Sequence, residues 1–350
     1  MTNAPLGKFV VVLVLSLGIL STVMLLSAPE GDGIQPPKIG PGFDASQIKG
    51  PNECVECHKH SGSVWEKTPH ATTITDMPRS EEGRDIAKKM GIRRIKSESL
   101  CLDCHSTAVP KEGKLKPISG VSCESCHGAS EPWLKRHGEF SGKKEGEESA
   151  EEIASRWAEC ESAGMLRAGM ILEIARNCVS CHVVPDEKLV NVGGHSSGSD
   201  FELVSWSQGV IRHNNWYSKG TENKIASKER QRVLYVVGTL VELETTLRCL
   251  ATASTSARYA KKNARRVDHL RKRLAAIAAA TPVNSVVAAN EAVTSLRLVL
   301  SNRKEISSAA DAVQAASEKF VDEHDGVGLE ALDPLIPPPE DFRGGEPGQA

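Results

Sequence analysis

The chain of 350 residues has few aromatic side chains: 6 Phe, 5 Trp and 3 Tyr make up only 4% of it. Aromatic rings normally dominate the burial of apolar surface, so something else must fill the core of any sizeable domain. An excess of one charge is also missing, since Lys+Arg 43 and Asp+Glu 45 leave a net charge of -2. That balance excludes a nucleic-acid-binding protein with a strongly basic surface, and we predict no nucleic-acid partner. What the chain has instead is 10 Cys and 11 His.

The amino-terminal part of the chain predicts export. Residues 9–26 form an uncharged apolar run preceded by Lys8, which is typical of a membrane anchor or a signal peptide. The small residues at 27–28 are followed directly by Pro29, which makes a poor cleavage site, and Lys8 favours an amino terminus in the cytoplasm. We therefore predict a signal anchor, or transmembrane segment, over residues 1–28 and a linker over 29–50. The rest of the chain is expected on the periplasmic, extracytoplasmic side, anchored to the inner membrane, or secreted if the run is cleaved.

The amino-acid composition of the chain changes near residue 220. Residues 51–220 are rich in cysteine, whereas Gly and Pro nearly vanish over residues 221–326. In this second block apolar residues recur every three or four positions, which predicts amphipathic helices. Thr281-Pro282 predicts the start of one of them, with Thr as the cap and Pro in the first turn. We predict an antiparallel helical bundle over 221–326 and a disordered tail over 327–350.

Eight of the ten cysteines lie in four copies of the pattern C-x-x-C-H. We name these copies the first (residues 54–58), second (101–105), third (123–127) and fourth (178–182) motifs. The pattern is the attachment signature of c-type haem, in which two thiols bond to the ring and the adjacent His is held under the iron. A zinc ribbon has no use for a His after every second Cys, and a thioredoxin-like pair would occur once.

The four motifs therefore predict four covalently bound haem c groups. The thioether residues would be Cys54, Cys57, Cys101, Cys104, Cys123, Cys126, Cys178 and Cys181, and the proximal iron ligands would be His58, His105, His127 and His182.

The remaining histidines supply candidates for the distal ligand of each iron. Those close to a motif are His70, His137, His195 and His213, whereas His60, His269 and His324 are interpreted as surface residues. Methionine would be an alternative distal ligand, with Met77, Met90, Met165 and Met170 available. An iron with two histidine ligands moves electrons and has no open position for a substrate. An iron with only one histidine ligand could bind a small molecule. The coordination number of each iron therefore decides between an electron carrier and an enzyme.

Together these residues resemble the tetrahaem cytochrome c-554 family over about residues 51–217. The similarity rests on Trp65 and Thr68-Pro69-His70-Ala71 after the first motif, on the string Gly-Val-Ser-Cys-Glu-Ser-Cys-His-Gly at residues 120–128, on His137 and on a helix ending near His213. The resemblance implies a compact, mostly helical, loop-rich domain with haems stacked in close pairs. By matching positions it implies that His137 caps the first-motif haem, His70 the third and His213 the fourth.

One residue departs from the family pattern. The second-motif haem is five-coordinate in the type member of that family, but this chain has His195 in a Gly-rich loop. His195 could close the second-motif haem, or it could serve the fourth-motif haem instead of His213.

These features predict a mainly α chain, in which a loop-rich multihaem cytochrome c domain precedes an antiparallel helical bundle. The predicted function is that of an exported, membrane-tethered tetrahaem c-type cytochrome that transfers electrons between redox protein partners. The alternative is a small-molecule oxidoreductase, of the nitrogen-oxide type by family analogy, acting at an open five-coordinate haem on Cys101/Cys104. A third interpretation makes the C-terminal helices the interface of an oligomer or of a larger complex.

Two features are left over. Residues 258–273 hold eight basic residues against one acid, Asp268, which fits either a solvated helix face or a docking site for an acidic redox partner or an anionic lipid surface. Cys160 and Cys249 lie outside the motifs and either form a disulfide or remain small buried residues.

Overall fold

The computed structural model describes residues 34–345 of the chain. The predicted anchor over residues 1–28, the first residues of the linker and residues 346–350 lie outside this part. Within residues 34–345, no helix is both long enough and apolar enough to span a bilayer. The anchor therefore stays a prediction from sequence.

The described chain is built mainly from helices, with one two-stranded antiparallel sheet. The helices are α1 Pro51–Val55, α2 Lys59–Trp65, α3 Pro69–Asp76, α4 Glu81–Met90, α5 Ser99–His105, α6 Cys123–His127, α7 Leu134–His137, α8 Ala150–Ser162, α9 Ile171–His182, α10 Leu203–Ser207, α11 Lys228–Thr252, α12 Arg258–Ala280, α13 Asn284–Thr294 and α14 Arg303–Glu323. The strands are β1 Thr107–Lys111 and β2 Lys114–Ser119, with Val109 opposite Lys116. The prediction of a mainly α fold is confirmed.

Helix α11 lies at the centre of the aliphatic core. Its Val236, Leu240 and Leu243 have no exposed surface, and helices α9, α10, α12 and α14 pack around it. Because it is surrounded, α11 buries residues all round its circumference instead of along one stripe. The same core includes Ala175 and Val179 of α9, so it joins a motif-bearing helix to the C-terminal helices.

The apolar stretches of the second block lie in helices α11 to α14. Helix α12 buries one apolar stripe, formed by Val267, Leu270, Leu274 and Ile277. The start of α13 differs from the prediction, because that helix begins at Asn284. Pro disfavours a helical conformation in the residue before it, and Thr281 is extended and ends α12, with its amide donating to Ile277 O at 2.9 Å. The prediction of a helix start at Thr281-Pro282 is therefore wrong.

The segment after α14 is ordered by burial and by one buried arginine. Its Leu329, Leu332, Ile336 and Phe342 are buried. Arg232 on α11 donates to both carboxylate oxygens of Asp333, at 2.7 and 2.9 Å, and to the carbonyl oxygen of Gly326 at 3.2 Å. These apolar side chains were too sparse to stand out among the Pro and Gly residues around them. The prediction of a disordered tail is wrong for residues 327–345.

Burial of a carboxylate on α11 predicts a pH dependence of stability. Burial raises the pKa of Glu244 above its ordinary value, although Arg248 donates to it and opposes the shift. The unfolded chain keeps the ordinary pKa, so the stabilising contribution is present at low pH and is lost as pH rises through the raised pKa. We expect Glu244→Gln to become more stable relative to the parent protein as pH rises from about 4 to 7.

This expectation is measured as the free energy of unfolding in guanidinium chloride at several pH values. The same change at Glu305, an exposed residue on α14, is the control and should not reproduce the trend. Parallel pH curves for the parent and Glu244→Gln would contradict the assignment.

Candidate functional site

Each C-x-x-C-H motif lies on or beside a helical turn. The second and fourth motifs end helices α5 and α9, the third forms α6, and the first runs from α1 to the cap of α2. Residues three and four positions apart lie on the same face of a helix. One turn therefore presents both thiols and the following imidazole on the same side.

Each of the four motif histidines faces one of the four predicted distal histidines. The ring centres are separated by 6.3 Å for His58 and His137, 6.2 Å for His182 and His70, 6.3 Å for His105 and His195, and 6.1 Å for His127 and His213. The structure thus brings all eight predicted iron ligands together in pairs, one pair at each motif.

The separation within each pair fits one iron atom between two imidazoles. Two metal–nitrogen bonds of about 2 Å each, together with the distance from each ring centre to its coordinating nitrogen, would account for the 6.1 to 6.3 Å between ring centres. Within residues 34–345, no group of three or more Cys, His, Asp or Glu side chains is arranged to hold a bare metal ion. Two nitrogen donors at each site suit a haem, because the ring itself supplies the other donors to the iron.

Five of the eight rings are fixed in orientation through Nδ1. The partners are Leu134 O for His137, Leu166 O for His127 at 2.8 Å, Ser199 Oγ for His182 at 2.9 Å, Ser196 O for His195 at 2.8 Å and Ile211 O for His213 at 2.8 Å. A ring whose Nδ1–H donates to an oxygen presents the lone pair of Nε2, and metal-bound histidines almost always make such a bond. These rings are therefore set up to bind through Nε2.

Burial keeps the buried imidazoles neutral. Burial, together with the smaller effect of neighbouring histidines, lowers the pKa of His105 and of His182 to about 4. Burial also lowers the pKa of His58, His70 and His127 below the ordinary value of 6.5. At neutral pH these rings carry no charge, and a neutral ring has the free lone pair that metal binding requires.

The pairing differs from the one implied by the resemblance. His137 faces the first motif, as implied, but His70 faces the fourth motif and His213 the third, so these two are exchanged. Helix α3, which carries His70, contacts two motif-bearing segments. Thr73 Oγ1 donates to the carbonyl oxygen of His105 at 2.8 Å and accepts from the amide of Val121 at 3.3 Å.

His195 faces the second motif, which is the position left open in the family pattern. Its loop is tied to the C-terminal helices: Arg258 Nη1 donates to Gly194 O at 3.0 Å, and Asn191 Oδ1 accepts from the first-turn amide of α12 at 2.8 Å. The carboxylate of Glu187 accepts from two amides of the turn before α12, at 2.7 and 3.2 Å. The turn between α11 and α12 therefore fixes the loop that carries His195.

Contacts between cysteines set the order of the four sites. The thiols of Cys54 and Cys123 are close neighbours, and so are those of Cys104 and Cys181. Cys126 is an electrostatic neighbour of the fourth-motif cysteines. The sites therefore form a row in the order first, third, fourth and second motif, which differs from their order in the chain.

The scarce aromatic residues gather at these histidine pairs. Ring centres lie 4.5 Å apart for Trp216 and His58, 5.4 Å for Trp133 and His137, 4.7 Å for Phe201 and His182, and 4.9 Å for Trp206 and His182. None of these four aromatic residues was predicted to belong to the site, because a lone aromatic residue in a loop has no spacing that would mark it. The few rings in this chain are therefore placed where they pack against the candidate ligands.

Glu124, inside the third motif, is buried with 1% of its surface exposed. Its carboxylate accepts hydrogen bonds from the backbone amides of Lys49 at 2.9 Å, Gly50 at 2.6 Å and Ser130 at 2.9 Å. It thereby joins the start of α1, which carries the first motif, to the third motif. The string at residues 120–128 contains Glu124, but nothing in the string identifies the amides that it accepts from.

At two positions of the string at residues 120–128 the structure leaves room only for glycine. A Cβ on Gly120 would collide with the carbonyl oxygens of His70 and Ala71, so glycine lets the chain pass next to α3. Gly128 has φ +90, in the left-handed region that favours glycine, and a Cβ there would collide with Gly164 O. The glycines therefore bring the third motif close to its neighbours.

The two cysteines outside the motifs are both free and fully buried. Cys160 lies on α8 and Cys249 on α11. Of the two sequence-based alternatives, the structure has small buried residues and no disulfide between them.

Comparison with known proteins gives two matches for the motif-bearing region. Residues 53–128 match the family described as cytochrome c554 and c-prime. Cytochrome c-554 of Nitrosomonas europaea is 29% identical over 111 residues, which cover 28% of this chain and 47% of that protein. The chain thus spans about half the length of this curated relative, and no solved structure matches it. The segment 53–128 carries the first three motifs and His70, and over this segment the chain is similar to the cytochrome c-554 family.

Proposed function

We propose that the chain is an exported, membrane-tethered tetrahaem c-type cytochrome that carries electrons between redox protein partners. The observation that carries the proposal is the set of four histidine pairs, each 6.1 to 6.3 Å apart and each beside one pair of motif cysteines. Covalently bound haem c, which the family implies, would supply one-electron chemistry at each site. The residues of the chain then hold the rings, fix the ligands and exclude water.

Several polar atoms near the motifs also suit a bound haem. Ser130 Oγ, Trp133 Nε1 and Asn177 Oδ1 are buried and have no hydrogen-bond partner among residues 34–345. Buried polar atoms in native structures nearly always have a partner. Ser130 and Trp133 precede His137, and Asn177 directly precedes Cys178, so the polar edge of a haem is a suitable partner for them.

The geometry favours a carrier over an enzyme. The alternative function needs an open coordination position at the haem on Cys101/Cys104, and His195 lies opposite His105 there. An oligomer through the C-terminal helices is not part of the proposal, because the apolar stripe of α12 is buried within one chain. Tethering to the membrane on the periplasmic side rests on residues 9–26, which lie outside the described part.

The row of sites supports transfer of electrons through the molecule. The first and second motifs are at its ends, and the cysteines of each motif are neighbours of those of the next motif in the row. Electrons would then enter at one end and leave at the other.

Haem stoichiometry tests the proposal. We expect four haems per chain by the pyridine haemochrome assay, all retained after acid–acetone extraction because the thioether bonds are covalent. The double change Cys178→Ala and Cys181→Ala should leave three. Cys160→Ala, a buried cysteine outside the motifs, is the control and should keep four. Fewer than four haems in the parent protein, or their extraction by acid, would contradict the proposal.

A further inference from the structure

Helix α12 carries a stripe of four exposed cations on one face. The stripe consists of Arg258, Lys261, Lys262 and Arg265, at spacings of three and four that place them side by side. Within residues 34–345 none of these four forms an ion pair with a carboxylate, whereas Arg266 pairs with Glu242, and Arg271 and Lys272 pair with Asp268. We call the four unpaired residues the basic stripe.

The basic stripe works against the stability of its own helix. Like charges three and four positions apart repel each other along a helix. The stripe also begins at Arg258, the first residue of α12, where the helix dipole disfavours positive charge. A face that served only as solvated surface would gain from alternating charges. The arrangement therefore points to an external negative partner.

The stripe starts at one end of the row of haem sites. Arg258 Nη1 contacts the carbonyl oxygen of Gly194, the residue before His195, and His195 faces the second motif. Residues 84–96, which lead up to the second motif, add Arg84, Lys88, Arg93, Arg94 and Lys96, which line one groove together with apolar side chains. The second-motif end of the row is therefore basic.

Among the described residues, the other end of the row does not carry such a cluster of unpaired cations. His137 faces the first motif there, and residues 139–152, which follow it, contain six glutamates and two lysines. Four of these glutamates pair with a lysine or an arginine. The unpaired cations at the second-motif end would therefore orient an acidic partner as it approaches.

We propose that the basic stripe is the docking surface of an acidic electron-transfer protein that exchanges electrons with the haem on Cys101/Cys104. This inference rests on the proposed function, since it places a partner at one end of the haem row. In the step tested below, one electron passes from a ferrous haem of this chain to an oxidised copper site of the partner. The iron becomes ferric, Cu(II) becomes Cu(I), and no bond or proton moves.

The test uses a plastocyanin with an acidic face as the probe. We expect the double change Lys261→Glu and Lys262→Glu to lower the second-order rate of its reduction by about tenfold or more at low ionic strength. The loss should shrink as salt screens the charges. Arg258 is left unchanged because it also holds the loop of His195. Lys272→Glu, in the second half of the same helix and paired with Asp268, is the control and should change the rate less than twofold.

Two further measurements separate docking from electron transfer. Oxidation by an uncharged quinone should be equal in all three proteins; if the parent protein gave no electron to the quinone, the proposed function would fail. Binding of oxidised plastocyanin to the oxidised holoprotein, followed by calorimetry, tests the surface without any electron transfer. Equal binding by the parent and the stripe variant would overturn the docking proposal. So would loss of binding to phosphatidylserine vesicles in the variant with plastocyanin binding unchanged, because the stripe would then be a lipid-binding surface.

Discussion

Removal of the His195 side chain should open one haem to small ligands. In His195→Ala the imidazole that faces His105 at 6.3 Å is lost, while the other three histidine pairs are untouched. We expect one ferric haem per chain to change from low spin to high spin in the electron paramagnetic resonance spectrum. The same haem, once reduced, should bind carbon monoxide, and added imidazole should restore the low-spin signal.

The matched control for this prediction is His60→Ala. His60 is an exposed histidine two residues after a proximal ligand, and its removal should leave all four low-spin signals in place. The outcome that contradicts the assignment is a high-spin haem of equal intensity in the parent protein and in His195→Ala. The second-motif haem would then be open in the parent protein, and the small-molecule oxidoreductase would become the better proposal.

Loss of the Glu124 carboxylate should destabilise the region where the first and third motifs meet. Glu124→Ala removes the acceptor for three backbone amides, those of Lys49, Gly50 and Ser130. Each buried donor left without a partner costs about 1–3 kcal/mol, so we expect a loss of about 3–5 kcal/mol in the free energy of unfolding. The measurement is guanidinium chloride unfolding of the holoprotein, followed by far-ultraviolet circular dichroism.

Two variants calibrate this result. Glu124→Gln keeps a carbonyl oxygen and most of the volume, so its loss should be smaller than that of alanine. Glu131→Ala removes an exposed carboxylate that pairs with Lys49, and exposed ion pairs contribute at most about 1 kcal/mol. A loss at Glu124→Ala no larger than at Glu131→Ala would show that the buried carboxylate is not a structural anchor.

The sequence predicted the chemistry of the site better than its arrangement. The short spacing within each C-x-x-C-H motif is enough to predict haem attachment, because one helical turn brings Cys101, Cys104 and His105 together. Pairing across the fold depends on contacts that no local pattern encodes. His70 faces the fourth motif, and the hydrogen bond that ties its helix to the second motif, from Thr73 to His105, joins residues 32 positions apart.

For the helices, too, local spacing predicted the elements but not the contacts between them. Periodic apolar residues predicted helices α11 to α14, but not that α11 would be surrounded on all sides. The partners of α11 include α9 and α10, which lie before the change in composition near residue 220. The buried residues of the tail were missed because Leu329, Leu332 and Ile336 form only one short run before Pro337, and Phe342 stands alone. Their burial follows from docking against the core, which so short a run does not predict.

The hydrogen bonds at Nδ1 have a consequence for the speed of electron transfer. A redox site works fast when its surroundings need little rearrangement as the charge on the metal changes, that is, when its reorganisation energy is small. The Nδ1 atoms of His127, His195 and His213 are each bonded to a backbone carbonyl at 2.8 Å. Ligands held in this way keep their direction in both oxidation states. The reorganisation energy at each site would then be small. The rates of electron transfer between neighbouring haems would be set by the distance and the driving force between them.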